Sequence, residues 1–244
     1  MIDKPRYGSQ YSDADWGCDY FEVETTTSIG KIKVCHVIVK DIKIISEALA
    51  KKVLDTSWMT NLDVGSKRAY DRTVQETASA LVQIFKSTTA PSDVGSEFGE
   101  IMVSIGSTKA LERIFSHVIL PIAELWKPQL KQNEGFDFHT VCSNEFINFG
   151  EAKYSGSANP HGNAINQSKG FIDDEKHLRD YVHLRELASE AAVENLNNDS
   201  FGIVASFSIN TADPLQVLKN AIESAQEKFN LDSIKAVYLV GVSQ

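Results

Sequence analysis

The feature that most constrains the fold of this chain is a pair of apolar runs around a short polar turn, within residues 135–153. The runs are rich in Phe, Val, Ile and Thr, and residues 143–145 form the polar turn between them. Such a pattern predicts a β-hairpin. If the hairpin is symmetric about Asn144, then Asp137 on one strand lies opposite Glu151 on the other. The predicted strand pair therefore brings two carboxylates side by side.

A lysine should lie beside these two carboxylates. Side chains alternate along a strand, so Lys153 shares the face of Glu151 while Ala152 points to the other face. Directly opposed Cβ atoms are about 4.5–5.5 Å apart. Two carboxylates at that spacing suit Mg²⁺, which prefers oxygen ligands and binds through only one or two protein carboxylates. Asp137, Glu151 and Lys153 thus predict a Mg²⁺ site, with Mn²⁺ as a possible substitute.

Phosphodiester hydrolysis is the reaction that this trio would suit. It requires a nucleophilic hydroxide, a Lewis acid on the phosphate oxygen and neutralisation of the developing negative charge. Lys153 could orient the attacking water or stabilise the charge of the transition state. The simpler alternative is a half-buried strand that carries an ordinary Glu–Lys pair, because Glu-x-Lys alone is a common pattern. The matching register of Asp137 and the surrounding apolar residues favour the metal site.

An Asp followed by Glu-x-Lys on a hairpin, after a helix that bears a Glu, resembles the PD-(D/E)xK nuclease superfamily. Additional residues around this motif resemble those of one subgroup, the nuclease subunit of Hachiman-type bacterial anti-phage defence. The residues that carry the likeness are Gly99, Glu100, Gly135, Asp137, His139, Gly150, Glu151, Lys153 and Tyr154. Two positions depart from the pattern. Phe136 replaces the Pro of the superfamily's name, and Phe138 stands where a small residue is expected.

The resemblance implies a fold and a function. The fold would be α/β, with a restriction-endonuclease-like αβββαβ core, a mixed sheet and an N-terminal α/β elaboration. The chain would be a Mg²⁺-dependent DNA endo- or exonuclease, a phosphodiesterase partnered by a superfamily-2 helicase that restrains it and delivers DNA. Two alternatives stay open. One is a non-catalytic helicase-docking subunit on a degenerate nuclease fold, and the other is a DNA repair or restriction nuclease.

The resemblance also assigns roles at the site. Asp137 and Glu151 would hold the metal, Lys153 would support the attacking water, and a helical Glu would complete the site directly or through water. Glu97 and Glu100 are three residues apart and share a helical face. Gly99-Glu100 fits the family pattern, so Glu100 is the preferred residue. Either glutamate could instead complement the helix dipole.

Three further residues are candidates for substrate binding. His139 is on the same strand face as the aspartate, where it could contact phosphate, transfer a proton or fill space beside Phe149. Tyr154 follows the strand and could reach phosphate through its hydroxyl group. Gln167 could hydrogen-bond phosphate or water. It lies in the polar segment 155–169, which could be a mobile loop ordered by DNA or a plain solvated connection.

The net charge bears on the partner. With 24 Lys and Arg against 33 Asp and Glu, the formal charge is −9. Affinity for the phosphate backbone comes largely from Lys and Arg. We therefore expect a nuclease of this composition to cut DNA delivered by a more basic partner. The same charge balance equally suits a protein that never touches nucleic acid.

Composition also indicates the compartment. No apolar run approaches the about 20 residues that a membrane crossing requires, so we expect no membrane partner. Residues 1–10 lack the apolar region of a secretory signal, which argues against secretion. The three cysteines, Cys18, Cys35 and Cys142, are scattered, which argues against a disulfide framework and against a zinc site. We expect a cytoplasmic protein.

The polar segment 87–96 contains Pro and Gly and is the candidate domain boundary. We expect an N-terminal α/β lobe over 1–90, packed on a nuclease-like domain over 91–244. The hydrophobic periodicity predicts other elements as well. These are strands at 20–27 and 31–39 around a turn at 28–30, helices at 41–54, 66–85, 108–130 (broken near Pro121), 176–196 and 214–229, and strands at 201–209 and 234–242.

Overall fold

The computed structural model describes residues 2–26, 29–127, 135–231 and 233–244. Its strands are β1 (Arg6–Asp13), β2 (Cys18–Glu24), β3 (Ile32–Val39), β4 (Val118–Ile119), β5 (Phe138–Val141), β6 (Ile147–Lys153), β7 (Gly202–Ser208) and β8 (Ala236–Ser243). They form one sheet in the order β1-β2-β3-β8-β7-β6-β5-β4. The four central strands are parallel, and antiparallel pairs extend the sheet on both sides. The prediction of an α/β fold with a mixed sheet is confirmed.

Helices cover both faces of the sheet. They are α1 (Ile42–Leu54), α2 (Val64–Ser87), α3 (Ser96–Phe115), α4 (Ala123–Trp126), α5 (His161–Asp173), α6 (Tyr181–Leu187), α7 (Glu190–Asn197) and α8 (Pro214–Lys228). Buried residues of α1 to α4 form one apolar cluster with one face of the sheet. Buried residues of α5 to α8 form a second cluster with the other face. None of the helices in the described ranges combines the length and the apolar character that a bilayer crossing requires.

Strand β6 shows how the sequence divides between the two layers. Phe149 belongs to the cluster under α5, and Ala152 belongs to the cluster under α3. Odd and even positions of the strand therefore point to opposite faces, as strand geometry requires. Glu151 and Lys153 are odd positions, so they lie on the α5 side of the sheet.

Several predicted elements have the expected type. The hairpin predicted over 20–39 is β2–β3, although positions 27 and 28 of its turn lie outside the described residues. The helices predicted at 41–54, 66–85 and 214–229 correspond to α1, α2 and α8. The strands predicted at 201–209 and 234–242 correspond to β7 and β8.

The long helix predicted over 108–130 is wrong. Helix α3 ends at Phe115, because Ser116 adopts a left-handed conformation with φ of 57° and its amide donates to the Glu112 carbonyl oxygen, 3.1 Å away. The His117 amide also donates to the Leu111 carbonyl oxygen at 3.3 Å. This left-handed cap satisfies terminal carbonyl groups and turns the chain away from the helix axis. The short strand β4 and helix α4 follow, and positions 128–134 of the predicted helix lie outside the described residues.

Two predictions after the hairpin also need correction. The segment 155–169, predicted as a polar connection, enters helix α5 at His161. The single helix predicted over 176–196 is instead a short 3₁₀ turn, then α6, then α7. The break falls at Ser189, which caps the start of α7. Its hydroxyl oxygen accepts a hydrogen bond from the Ala192 amide at 3.2 Å, as is typical of serine at this position.

The N-terminal segment shares the sheet with the rest of the chain. Strand β3 pairs with β8 in parallel over seven residue pairs, from Ile32 with Val237 to Ile38 with Ser243. The domain boundary at residues 90 and 91 stays a prediction. Beyond that position, the chain passes through α3, β4, β5, β6, α5 and β7, with α4, α6 and α7 as short insertions. The predicted site residues all lie within this stretch.

Candidate active site

The hairpin β5–β6 has the register that the sequence predicts. Phe138 pairs with Gly150, and Val141 pairs with Ile147, so the strands are symmetric about Asn144. The turn is closed by the Glu145 amide, which donates to the Cys142 carbonyl oxygen at 2.9 Å. Asp137 directly precedes β5, and its amide donates to the Gly150 carbonyl oxygen at 2.8 Å. Asp137 therefore starts the strand pair at the end where Glu151 and Lys153 lie.

A glycine across the hairpin explains the unexpected phenylalanine at position 138. A Cβ atom built on Gly150 would lie 2.3 Å from Cε2 of Phe138. The aromatic ring thus occupies the space above the glycine of the opposite strand. The small residue that a close strand pair needs is present on β6 instead of β5.

Glu151 is the most buried acid of the site. Its side chain is 1% exposed, and its Oε1 atom lies 2.8 Å from Nζ of Lys153, which is 24% exposed. Its Oε2 atom is buried and, among the described residues, has no hydrogen-bond partner. A buried carboxylate oxygen without a partner is costly. Glu151 therefore has one oxygen satisfied by Lys153 and one that no described residue satisfies.

The Asp137 side chain reaches across the hairpin to β6. Its Oδ2 atom accepts a hydrogen bond from the Ala152 amide at 2.7 Å. Ala152 lies between Glu151 and Lys153 in the sequence, so the three predicted residues converge at this end of the hairpin. Beside the larger effect of burial, the negative charge of Asp137 raises the pKa of Glu151, and the positive charge of Lys153 lowers it.

Burial is the main influence on both acids. It raises the pKa of Glu151 well above its ordinary value, and the neighbouring carboxylates add to this effect. Burial also raises the pKa of Asp137 to about 6, against the opposing effects of the Ala152 amide and Lys153. Two like charges in a poorly solvated place disfavour ionisation. A divalent cation between the carboxylates would reverse this balance because it stabilises their charged forms.

The helical glutamates lie in the first two turns of α3. Both Glu97 and Glu100 are exposed. The negative charge of Glu100 contributes to the raised pKa of Asp137 and that of Glu151. This electrostatic contact favours Glu100 as the helical residue of the site, and the choice between the two glutamates stays a prediction.

Tyr154 connects α3 to the end of β6 by packing. A Cβ atom on Gly99 would lie 2.3 Å from Cγ of the Tyr154 ring. The ring therefore rests directly on the backbone of α3, one residue before Glu100. The structure gives Tyr154 a packing role, and a phosphate contact through its hydroxyl group stays a prediction.

His139 is fully buried. Its ring makes an edge-to-face contact with Phe149, with centroids 5.1 Å apart, and its Nε2 atom lies 3.1 Å from Oδ2 of Asp180. Asp180 also forms an ion pair with Lys127 at 2.9 Å. Burial lowers the pKa of His139. Of the three roles considered, the contacts correspond to filling space beside Phe149, and the roles in phosphate contact and proton transfer stay untested.

Gln167 lies on α5, which packs against β6 and β7, and it is half-buried. The helix covers the sheet face that carries Glu151. Substrate binding by Gln167 stays a prediction.

Glu124 on α4 is not among the residues predicted from the sequence. Its Oε2 atom is buried and has no hydrogen-bond partner in the described part of the chain. Burial, followed by the charge of Asp137, raises the pKa of Glu124 to about 8. A sequence signal did exist: Glu124 is the single charged residue in the apolar run V-I-L-P-I-A-E-L-W at 118–126. Charged residues in such surroundings are rare unless they have a partner.

The donor set fits Mg²⁺ with water as the other ligand. Within the described residues, no three His, Cys, Asp or Glu side chains lie close enough together to hold a metal ion. Mg²⁺ does not need three, because it retains several waters and uses one or two carboxylates. Asp137 would provide one of them, and the Glu151 oxygen that has no partner among the described residues would provide the other.

Comparison of the chain with models of protein families, with characterised proteins and with solved structures finds no match. The likeness to PD-(D/E)xK nucleases and to the Hachiman subgroup therefore stays a prediction from the motif residues. The function must be inferred from the geometry of the site.

Proposed function

We propose that this chain is a metal-dependent DNA nuclease, the effector subunit of a two-component anti-phage system whose other component is a superfamily-2 helicase. One observation carries the proposal. One oxygen of the buried Glu151 carboxylate pairs with Lys153, the other has no partner in the part of the chain that the structure describes, and Asp137 lies across the hairpin. An ordinary structural ion pair would not need a second acid at this position or a free buried oxygen.

Asp137 and Glu151 would hold the cation. When bound, Mg²⁺ would supply Lewis-acid stabilisation of the phosphate oxygens and a more acidic water. The hydrogen bond from Ala152 fixes the Asp137 carboxylate. The ion pair with Lys153 fixes that of Glu151. Both ligands are thus oriented before the cation binds, which lowers the cost of assembling the site.

Lys153 would act on the substrate side of the site. Its side chain is the most exposed of the three, and its ammonium group is anchored to Glu151 at 2.8 Å. From there it can orient a water for attack on phosphorus or neutralise charge that develops on the phosphate oxygens. Preorganised charges of this kind are among the largest contributions to catalysis.

The order of elements supports the same class of enzyme. The chain passes from α3 through β4, β5 and β6 to α5 and β7, with short insertions. This order agrees with the αβββαβ order expected of the nuclease superfamily if the two-residue strand β4 is taken as the first strand, which the sequence does not identify. Glu100 lies on the helix that precedes these strands.

The proposal is tested by DNA cleavage with the chain alone and with a superfamily-2 helicase that co-purifies with it. Plasmid and linear DNA are incubated with Mg²⁺, with Mn²⁺ or with EDTA. Glu151→Gln and Lys153→Ala should each reduce cleavage by about 10²-fold or more, because each removes a charge used in the transition state. Glu47→Gln, an exposed change on α1, is the control and should cleave like the unchanged protein.

Unchanged cleavage in both site variants would remove these residues from the mechanism. Phage protection that survives in Asp137→Ala, with the helicase complex intact, would support the non-catalytic docking role instead. Cleavage without any effect on phage would point to a repair or restriction nuclease.

A further inference from the structure

Helix α4 is bonded at both ends to the segment that carries Asp137. At its start, the Ala123 amide donates to the Asp137 carbonyl oxygen at 2.9 Å. Directly after its end, Nζ of Lys127 donates to the Phe136 carbonyl oxygen at 2.8 Å and also binds Asp180. A helix of four residues has little stability of its own. Its position is therefore set by these bonds to residues 136 and 137.

Glu124 is the polar side chain that this arrangement holds in place. Its neighbours Ala123, Leu125 and Trp126 are all buried. The residue is half-buried as a whole, but its Oε2 atom is buried and has no hydrogen-bond partner in the described ranges. A buried carboxylate oxygen of this kind is unfavourable unless a cation or a proton donor joins it.

The Glu151 side chain provides an independent second observation. It is 1% exposed, and its Oε2 atom is also buried and has no partner within the described ranges. The charge of Asp137 acts on both Glu124 and Glu151. The geometry places both beside Asp137: the Ala123 amide, next to Glu124, donates to its carbonyl oxygen, and the Ala152 amide, next to Glu151, donates to its Oδ2 atom. The two carboxylate oxygens that have no partner among the described residues thus come from different elements that bond to one aspartate.

The local charges favour a cation at this position. Glu100, Glu124, Asp137 and Glu151 supply up to four negative charges, and Lys153 and Lys127 supply two positive charges. Lys127 is already paired with Asp180. The acids thus exceed the bases, and a divalent cation is the simplest species that would balance them.

The distances limit how Glu124 can take part. No three acidic, His or Cys side chains in the described residues lie within reach of one metal ion. Direct coordination by Asp137, Glu151 and Glu124 together is therefore excluded in this arrangement. A bound Mg²⁺ keeps several waters, and a carboxylate at slightly longer range can accept hydrogen bonds from them.

We propose that Glu124 is a positioning residue of the metal centre, whose Oε2 atom accepts a hydrogen bond from a water bound to the cation of Asp137 and Glu151. The inference depends on the metal site of the proposed function. Partners of metal ligands and of metal-bound waters typically change metal affinity by about 10–100-fold when they are removed.

The test is a titration of the purified full-length chain with Mn²⁺. The concentration of free Mn²⁺ is measured at each point by electron paramagnetic resonance. Glu124→Gln should weaken Mn²⁺ binding by about 10–100-fold. The matched control is Glu186→Gln, because Glu186 is also a half-buried helical glutamate, but it pairs with Arg185 on α6. The control should bind Mn²⁺ like the unchanged chain. Circular dichroism of each variant establishes that it is folded.

The outcomes separate the two proposals. Equal Mn²⁺ affinity in Glu124→Gln and the unchanged chain would overturn the role of Glu124 and leave the metal site intact. Absence of Mn²⁺ binding by the unchanged chain would overturn the metal site itself. If Glu124→Gln does not fold, Glu124→Asp keeps the charge on a side chain one carbon shorter. That variant should bind Mn²⁺ more weakly than the unchanged chain, and equal binding would again overturn the role.

Discussion

At the residue scale, the Glu151–Lys153 pair combines a fully buried acid with a half-buried base. The carboxylate depends on Lys153 because its other oxygen has no partner among the described residues. Loss of the lysine leaves a buried negative charge without compensation, whereas loss of both charges removes the problem. The pair therefore links the stability of the fold to the chemistry of the site.

Lys153→Met should lower the free energy of unfolding by about 1–3 kcal/mol at neutral pH without divalent cations, less than for a fully buried pair because Lys153 keeps contact with solvent. The double variant Glu151→Gln with Lys153→Met should recover part of this loss. Urea denaturation of the two single variants and the double variant measures the coupling. A double variant no more stable than the lysine variant would contradict a dependence of Glu151 on Lys153.

Glu124 predicts how stability depends on pH. Its pKa is raised from an ordinary value of 4.5 to about 8 in the folded chain. Between these values the folded state binds more protons than the unfolded state, so stability falls as pH rises. In EDTA, the melting temperature should therefore decrease as the pH rises from about 5 to about 8. The decrease should be smaller in Glu124→Gln than in the unchanged chain. Differential scanning fluorimetry across this range is the measurement, and equal slopes in the two proteins would contradict the assignment.

At the element scale, α3 contains two glycines in contrasting surroundings. A Cβ atom on Gly99 would lie 2.3 Å from the Tyr154 ring, and one on Gly106 would meet nothing within 4 Å. Both positions are inside the same helix, where alanine is intrinsically preferred. The two substitutions thus separate helix propensity from close packing against the end of β6.

Gly99→Ala should destabilise the chain by about 1–3 kcal/mol through overpacking, while Gly106→Ala should stabilise it by about 0.5–1 kcal/mol. Gly99→Ala should also weaken cleavage, because it displaces the end of β6 from Glu100. Chemical denaturation and the DNA cleavage assay provide the two measurements. Stabilisation by both substitutions would show that Tyr154 does not rest on α3.

The hairpin is the part of the site that the sequence predicts best. Its register follows from the turn at 143–145 and from strict alternation along β6, and both are local properties. The end of helix α3 is harder to predict from the sequence. Ser116 is the left-handed residue there, whereas glycine would be the usual signal for such an end. Glu124 is not predicted because its proximity to Asp137, through the bond from the Ala123 amide to the Asp137 carbonyl oxygen, arises only in the folded chain.

Other elements form for reasons that lie outside their own sequence. Helix α5 contains several Gly and Asn residues, which are poor helix formers, and it is held by Ala164, Ile165 and Phe171 in the core. Strand β1 is polar and almost entirely exposed. It exists because its backbone pairs with β2 at the edge of the sheet. Packing and pairing with distant partners therefore override local preference in both cases.

At the scale of the whole molecule, the charge of −9 conflicts with unaided binding to DNA. We expect the isolated chain to bind duplex DNA weakly at physiological ionic strength. In a complex with the proposed helicase partner, the affinity and its dependence on salt should be those of the helicase, because that partner would supply the phosphate contacts. Fluorescence anisotropy at several salt concentrations compares the two. Tight, strongly salt-dependent binding by the isolated chain would contradict this division of roles.

The placement of β8 has a consequence for biosynthesis. Although β8 is the latest of the eight described strands in the chain, it lies between β3 and β7 near the middle of the sheet. Until the ribosome has released it, the two halves of the sheet have no common strand. The nascent protein should therefore remain open and aggregation-prone until the region that contains β8 has been synthesised.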